Sequence, residues 1–182
     1  KHCLSILTCE TIQNLKSFEK IIPLEEKFIQ ESFNNLLKNF SLKYFKIGLV
    51  PNIKIASIVK MNEEELPVVA PLLDATGDES AIAQLIDQFE LELFVLTRGR
   101  HGTKLFTRDE TVEGRVARFE LEENADSVGA GDACSAAVLH GAVRGWPLQQ
   151  IADMANQLGA YVASRSGATP ELPEGLLGDL QS

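Results

Sequence analysis

Residues 126–137 read Asp126-Ser127-Val128-Gly129-Ala130-Gly131-Asp132-Ala133-Cys134-Ser135-Ala136-Ala137. A Gly-x-Gly turn leads straight into a run of small residues that the pattern assigns to a helix over Gly131–Arg144. Glycines let the backbone turn so that successive N–H groups point at one spot. The helix N-terminus adds partial positive charge there. Gly129, Ala130 and Gly131 thus form a candidate anion hole suited to a phosphoryl group. Asp132 lies beside it in the first turn, where a carboxylate can accept a proton from an attacking hydroxyl. The plain alternative is that Asp132 only caps the helix and the glycines only make a tight turn.

Upstream, Leu91–Thr97 is an apolar run that reads as a buried strand, and Gly99–Gly102 is a turn. Thr103–Thr107 and Val112–Phe119 alternate and predict a hairpin-like excursion. Downstream come a helix over Leu148–Ser164 and a short one near Glu171–Leu180. Glu63–Leu73 and Ser80–Phe89 read as helices around a turn at Ala75–Asp78. Ile53–Val59 suits strand or helix, and the strand reading is taken. Nearer the start, a strand over Leu4–Ile12 precedes an irregular stretch, Gln13–Ile22. A helix over Leu24–Phe40 follows, with Phe28, Ile29, Phe33, Leu36 and Leu37 on one face, then a strand over Tyr44–Val50. Strand, helix and strand of these lengths predict a right-handed parallel crossover. The alternation as a whole predicts an α/β fold with helices on both faces of a sheet.

The chain has 182 residues, 45% of them apolar, and a formal net charge of −9. That length predicts a single α/β domain over 1–182 with no separate lid. An acidic balance argues against a nucleic-acid binder, which needs a basic face. No apolar run is long enough to span a membrane. Cys3, Cys9 and Cys134 form no C-x-x-C pair, and His2, His101 and His140 are isolated, so no zinc site is legible. Reduced thiols predict a cytoplasmic protein. The average charge hides a split. Residues 1–60 carry 9 Lys, no Arg and 5 acids, a net of +4. Residues 61–182 carry 1 Lys, 7 Arg and 21 acids, a net of −13. Both cations serve a solvated surface, so a wholesale exchange of one for the other predicts a junction near residues 57–62, natural or engineered. The chain starts at Lys1 without Met, as a processed chain or a fragment would.

The stretch Asp126–Asp132 resembles the D-T-x-G-A-G-D signature of the ribokinase-like (PfkB-type) carbohydrate kinase family, with Ser127 in place of Thr. Other pieces resemble the family in the same order. Asn62-Glu63-Glu64-Glu65 is similar to its N-x-x-E motif, which implies magnesium and phosphate positioning by Asn62 and Glu65. Thr97-Arg98-Gly99-Arg100-His101-Gly102 is similar to the T-x-G-x-x-G along the ATP phosphates, implying roles for Thr97, Gly99 and Gly102. Asn156 matches the Asn of a helix beside the adenine pocket, and Ser166–Pro170 resembles the closing G-A-x-x-x-P stretch with altered proline spacing. This resemblance covers about residues 59–173, and fructokinase-like sugar kinases are its nearest branch. Residues 3–58 resemble a different branch: Ser5–Asn14 is similar to a strand of hydroxymethylpyrimidine (phosphate) kinase, and Ile22-Pro23 and Phe45–Val50 follow the same pattern. Together they imply a truncated or chimeric member.

The resemblance implies a three-layer ribokinase-like (Rossmann-like) fold, shortened at the N-terminus. It implies an ATP-dependent phosphotransferase that moves the γ-phosphate of MgATP to a primary alcohol of a sugar or a hydroxymethyl-heteroaromatic. Asp132 would be the general base, and Asp126 would hold a monovalent cation such as K⁺. The family's early Gly-Gly motif has no counterpart here, for the chain contains no Gly-Gly. A second expectation is therefore a recombined scaffold that binds nucleotide without turnover. A third is self-association into a homo-oligomer through an unpaired sheet edge. Each residue also has a bland reading. Asn62 and Glu65 have the spacing of a capping box. Thr97–Gly102 suits a hairpin turn, Asp126 suits a loop anchor, and Asn156 suits a helix surface. Cys134 suits core filler, His101 an exposed turn, Gln13 and Asn14 a loop backbone, and Trp146 packing between helices.

Overall fold

A computed structural model describes residues 6–7 and 53–176. The expected helix over Leu24–Phe40, the strand over Tyr44–Val50, the loop holding Gln13 and Asn14, and most of the Leu4–Ile12 strand lie outside the described residues. So does the end of the helix expected near Glu171–Leu180. Contacts divide the chain into two compact units, Lys1–Phe94 and Val95–Ser182.

In the first unit, β1 (Ile6–Leu7) pairs in parallel with β2 (Ile58–Asn62), Ile6 opposite Ile58 and Leu7 opposite Val59. The strand expected over Ile53–Val59 is displaced: residues 53–57 turn, and extended backbone begins only at Ile58. An apolar run does not encode its own secondary structure, and here Ile53 is buried from within a turn. The helix expected over Glu63–Leu73 is broken into α1 (Leu66–Val69) and a 3-10 turn over Ala70–Leu73. Pro71 supplies no N–H to the carbonyl four residues back, so the α pattern cannot continue through it. Helix α2 (Ala81–Phe89) buries Ala81, Ile82, Leu85, Ile86 and Phe89, the stripe expected of one apolar face. The turn before it is organised by Asp78, whose Oδ1 accepts from Thr76 Oγ1 at 3.0 Å and from the Ser80 N–H at 3.1 Å. These bonds, the Ser80 hydroxyl foremost, hold the Asp78 carboxyl below its ordinary value. β3 (Leu93–Thr97) starts where the Leu93 N–H reaches Ser57 O, and its residues Leu93 to Leu96 are buried.

In the second unit, a 3-10 turn over Gly99–His101 leads into β4 (Thr103–Phe106). β4 pairs antiparallel with β5 (Thr111–Glu113), Leu105 opposite Val112. The second strand of this hairpin was expected to reach Phe119. It stops at Glu113 because the next N–H groups find other acceptors. Gly114 N–H reaches Thr103 O at 2.9 Å, and Arg115 N–H reaches the Asp153 carboxylate at 2.7 Å. Helices α3 (Ala130–Arg144) and α4 (Leu148–Ala163) match the expected spans to within one residue at each end. They pack closely because the contact positions are small. A methyl group at Gly141 would stand 2.7 Å from Ile151 Cγ1. Trp146 lies between the two helices, edge-on to His140 at 5.3 Å, as expected of a packing residue. Cys134 is buried, and its sulfur lies 3.8 Å from Thr103 Oγ1, tying α3 to the start of β4.

Candidate functional site

The first turn of α3 carries the signature. Ala130 and Gly131 open the helix, and Asp132 follows in the same turn, exposed. Gly129 caps it with φ of +81°, a conformation that L side chains avoid. The helix supplies no acceptor for its first N–H groups, those of Gly131 and Asp132 among them. Gly129 is also pressed against a neighbour. A Cβ there would lie 2.8 Å from Ala168 Cα and 2.9 Å from its carbonyl carbon, with the carbonyl oxygen closer still.

Asp126 ties this turn to the loop after α4. Its Oδ1 accepts the Val128 N–H at 2.9 Å, and its Oδ2 accepts the Gly167 N–H at 3.2 Å. Its own N–H donates to Arg165 O at 3.1 Å. The loop-anchor reading is therefore realised in the geometry.

Thr97 ends β3, and Gly99 and Gly102 bracket the 3-10 turn after it. Arg98 N–H reaches Gly102 O at 2.9 Å, which closes the turn. The Arg98 guanidinium pairs with Glu113 and donates to His101 O, while its Nε is buried without a partner. Glu113 is held below the ordinary carboxylate range by the Arg98 hydrogen bond and its charge. His101 is exposed at the turn.

Asn156 is not on a helix surface. It is 7% exposed, and its Nδ2 donates to Arg115 O at 3.0 Å. Gly102 sits directly against it: a Cβ on Gly102 would lie 2.8 Å from Asn156 Nδ2. One turn further along α4, Gly159 faces Ala130 O at the head of α3. A single face of α4 thus meets the end of the Thr97–Gly102 turn and the beginning of the Gly129–Asp132 turn. These candidates converge within the second unit.

Asn62 and Glu65 belong to the first unit, after β2. They form a reciprocal capping box: Asn62 Oδ1 accepts the Glu65 N–H at 2.8 Å, and Glu65 Oε2 accepts the Asn62 N–H at 2.8 Å. Asn62 Oδ1 also accepts the Glu64 N–H.

Two constellations escaped the sequence. In one, Asp153, nearly buried on α4, accepts from Arg115 Nε at 2.9 Å, Arg115 Nη2 at 2.6 Å and Gln149 Nε2 at 3.0 Å. Burial pushes its carboxyl up, but these donors together outweigh burial and hold it below its ordinary value. The other surrounds Arg165, whose only sequence signal was its place just before the closing Ser166–Pro170 stretch. Among the described residues, no helix is long and apolar enough to cross a membrane. No group of three or more His, Cys, Asp or Glu among them is placed to hold a metal ion.

A family profile described as pfkB family carbohydrate kinase matches residues 27–175. Fructokinase-1 from Oryza sativa subsp. japonica is 30% identical over 125 residues, which is 65% of this chain and 37% of the relative. A probable chloroplastic thiamine biosynthetic bifunctional enzyme from the same plant is 27% identical over 100 residues, 52% of this chain and 18% of the relative. Among solved structures, a putative ribokinase II from E. coli superposes with a TM-score of 0.62 at 22% identity, covering 78% of this chain and 44% of that one. The Burkholderia thailandensis nucleoside kinase in complex with inosine gives a TM-score of 0.55 at 24% identity, covering 68% and 37%. These likenesses show the ribokinase-like α/β fold. The chain spans less than half the length of these relatives.

Proposed function

Because the chain belongs to the pfkB family of carbohydrate kinases, we propose that it transfers the γ-phosphate of ATP to a primary alcohol, with Asp132 as general base. The carrying observation is the convergence on one face of α4 of the Gly102 turn, at Asn156, and the α3 N-terminus, at Gly159. Nucleotide phosphates would lie along these two turns. The N–H groups of Gly131 and Asp132 are uncommitted within the helix, and that donor set suits a phosphoryl oxygen. Asn156, being buried, would shape the nucleotide pocket by fixing Arg115 O and the close approach of Gly102.

The step balances simply. The alcohol O–H proton passes to the Asp132 carboxylate. The alcohol oxygen bonds to the γ-phosphorus, the bridging P–O bond to the β-phosphate breaks, and its electron pair leaves with ADP. Developing charge on the transferred group falls to the α3 N–H donors. Magnesium bound to the nucleotide would add charge neutralisation. In the first unit, Asn62 and Glu65 are hard oxygen donors of a kind that suits magnesium, although Asn62 Oδ1 and Glu65 Oε2 already serve the cap. Asp126 could hold a monovalent cation through the lone pairs that its two N–H bonds leave. The acceptor class is a sugar or a hydroxymethyl-heteroaromatic, the two chemistries that the fructokinase and thiamine-pathway relatives suggest.

The test is ATP consumption over a panel of such alcohols with the parent and Asp132→Asn. A kcat reduction of about 10²–10⁴-fold with nucleotide binding retained is the expected result. An unchanged rate in Asp132→Asn would sink the general-base assignment. Nucleotide binding without turnover in the parent would favour the scaffold reading.

A further inference from the structure

We propose that Arg165 is a positioning residue for the Gly129–Asp132 turn, acting through Glu122 and the backbone of residues 164–168. The inference rests on the phosphate-binding reading of that turn given above.

The loop after α4 forms the wall against which Gly129 is pressed, at Ala168. The wall has little secondary structure of its own, so something else must fix it. Arg165 does so from within. Its guanidinium folds back over the Tyr161 ring, with Cζ 4.6 Å from the ring centre, and its side chain is only 23% exposed. Nη1 donates to Glu120 O at 2.9 Å, to Ser164 O at 3.1 Å and to Ser164 Oγ at 3.0 Å. Nε lies 3.4 Å from Glu122 Oε1. Glu122 returns the contact to the loop: its Oε2 accepts the Ser166 N–H at 3.2 Å, and its N–H donates to Ser164 O at 3.0 Å. The next two links are Asp126 to Gly167 and Asp126 to Val128. A continuous chain of bonds therefore runs from Arg165 to the residue preceding Gly129.

An exposed ion pair alone would contribute little, and Glu122 is half exposed. The distinguishing feature here is the set of neutral acceptors. Ser164 is 1% exposed, and its hydroxyl and carbonyl meet the same guanidinium nitrogen that reaches Glu120 O. Nη1 bridges the two segments, and Nε of the same rigid plane adds the Glu122 carboxylate. A lysine ammonium is a single point on a flexible stem and cannot occupy both nitrogen positions.

The experiment compares the parent chain, Arg165→Lys, Arg165→Met and Gly145→Ala. The last variant strains the far end of α3, where φ is +67° and nothing lies within 4 Å of the added methyl, and controls for general loosening. MgATP KM and kcat, nucleotide Kd and amide hydrogen exchange at Val128, Ser166 and Gly167 are measured. Arg165→Met should raise the nucleotide KM and Kd about tenfold, the equivalent of one lost charge-assisted hydrogen bond, while kcat stays within about threefold. Arg165→Lys should fall between it and the parent, and Gly145→Ala should leave KM unchanged. Nucleotide KM within about twofold of the parent in a folded Arg165→Met protein overturns the proposal, as does an equal rise in Gly145→Ala. Should Arg165→Met fail to fold, Glu122→Ala removes the intermediate link and carries the same KM expectation. A parent that binds no nucleotide refutes the phosphate-binding reading by itself. Amide exchange then decides the clamp: faster exchange at Val128 and Gly167 in Arg165→Met upholds it, and unchanged exchange overturns it.

Discussion

Gly129→Ala tests whether the signature turn is shaped by its own conformation alone or also by its neighbour. Two costs are separable. The backbone sits at φ of +81°, and an L side chain there costs about 1–2 kcal/mol. The added methyl would also stand 2.8 Å from Ala168 Cα and 2.9 Å from its carbonyl carbon, both backbone atoms that cannot swing aside. Overpacking of this kind costs about 1–3 kcal/mol more. The sum is about 2–5 kcal/mol. Gly145→Ala supplies the control. Gly145 has φ of +67° at the end of α3, but nothing lies within 4 Å of its would-be Cβ. It should therefore lose only the conformational part, about 1–2 kcal/mol. Urea unfolding of parent and both variants measures the difference. With a slope of about 2 kcal/mol/M, the extra loss in Gly129→Ala is a midpoint about 0.5–1.5 M lower than that of Gly145→Ala. Nucleotide affinity should fall in Gly129→Ala and persist in Gly145→Ala. Equal midpoints for the two variants would refute the close approach of Ala168, and with it the wall on which the turn rests.

Asn62→Ala removes the acceptor of the capping box at the end of β2 and should cost about 0.5–2 kcal/mol in urea unfolding; no loss would mean that the box is idle. Asp153→Asn addresses pH. The Asp153 carboxyl titrates below its ordinary 3.8 in the folded chain, so its contribution is present above that value and is lost as pH falls through the folded one. The variant should lose about 1–2 kcal/mol at pH 6, and the gap to the parent should narrow as pH drops from about 4 toward 2. Unfolding midpoints against pH check this, and a constant gap would contradict it.

The parts of the fold that were legible in sequence are those fixed by local pattern. The two long helices of the second unit were predicted almost to the residue, because Gly145 and Pro147 punctuate them and small residues mark their contact face. β3 was legible as a continuous apolar run. The misplacements have tertiary causes. β5 ends early because the Arg115 N–H goes to Asp153, 38 residues away, and nothing near Arg115 announces that acceptor. Ile53 is apolar because it is buried, and burial serves a turn as well as a strand. At the site, Asp126–Asp132 is readable as a string, but the convergence of Gly102 on Asn156 and of Gly159 on Ala130 is a property of helix packing.

The same division runs through the signature itself. A left-handed backbone conformation at Gly129 is a local demand, and the Gly-x-Gly pattern with the helix behind it is enough to suggest it. The contact with Ala168 is not local, and it imposes a second demand on the same atom position. Glycine satisfies both, so the sequence shows one residue where the structure contains two constraints. The wall then needs its own support, since residues 164–168 carry no regular hydrogen-bond ladder. That support falls to side chains: Asp126 accepts Gly167, Glu122 accepts Ser166, and Arg165 holds both segments together. A loop of this kind is positioned by charged groups whose partners sit some 40 residues away. Such residues look like ordinary polar surface groups in a sequence, which is why the Gly129–Asp132 turn was readable and its mounting was not.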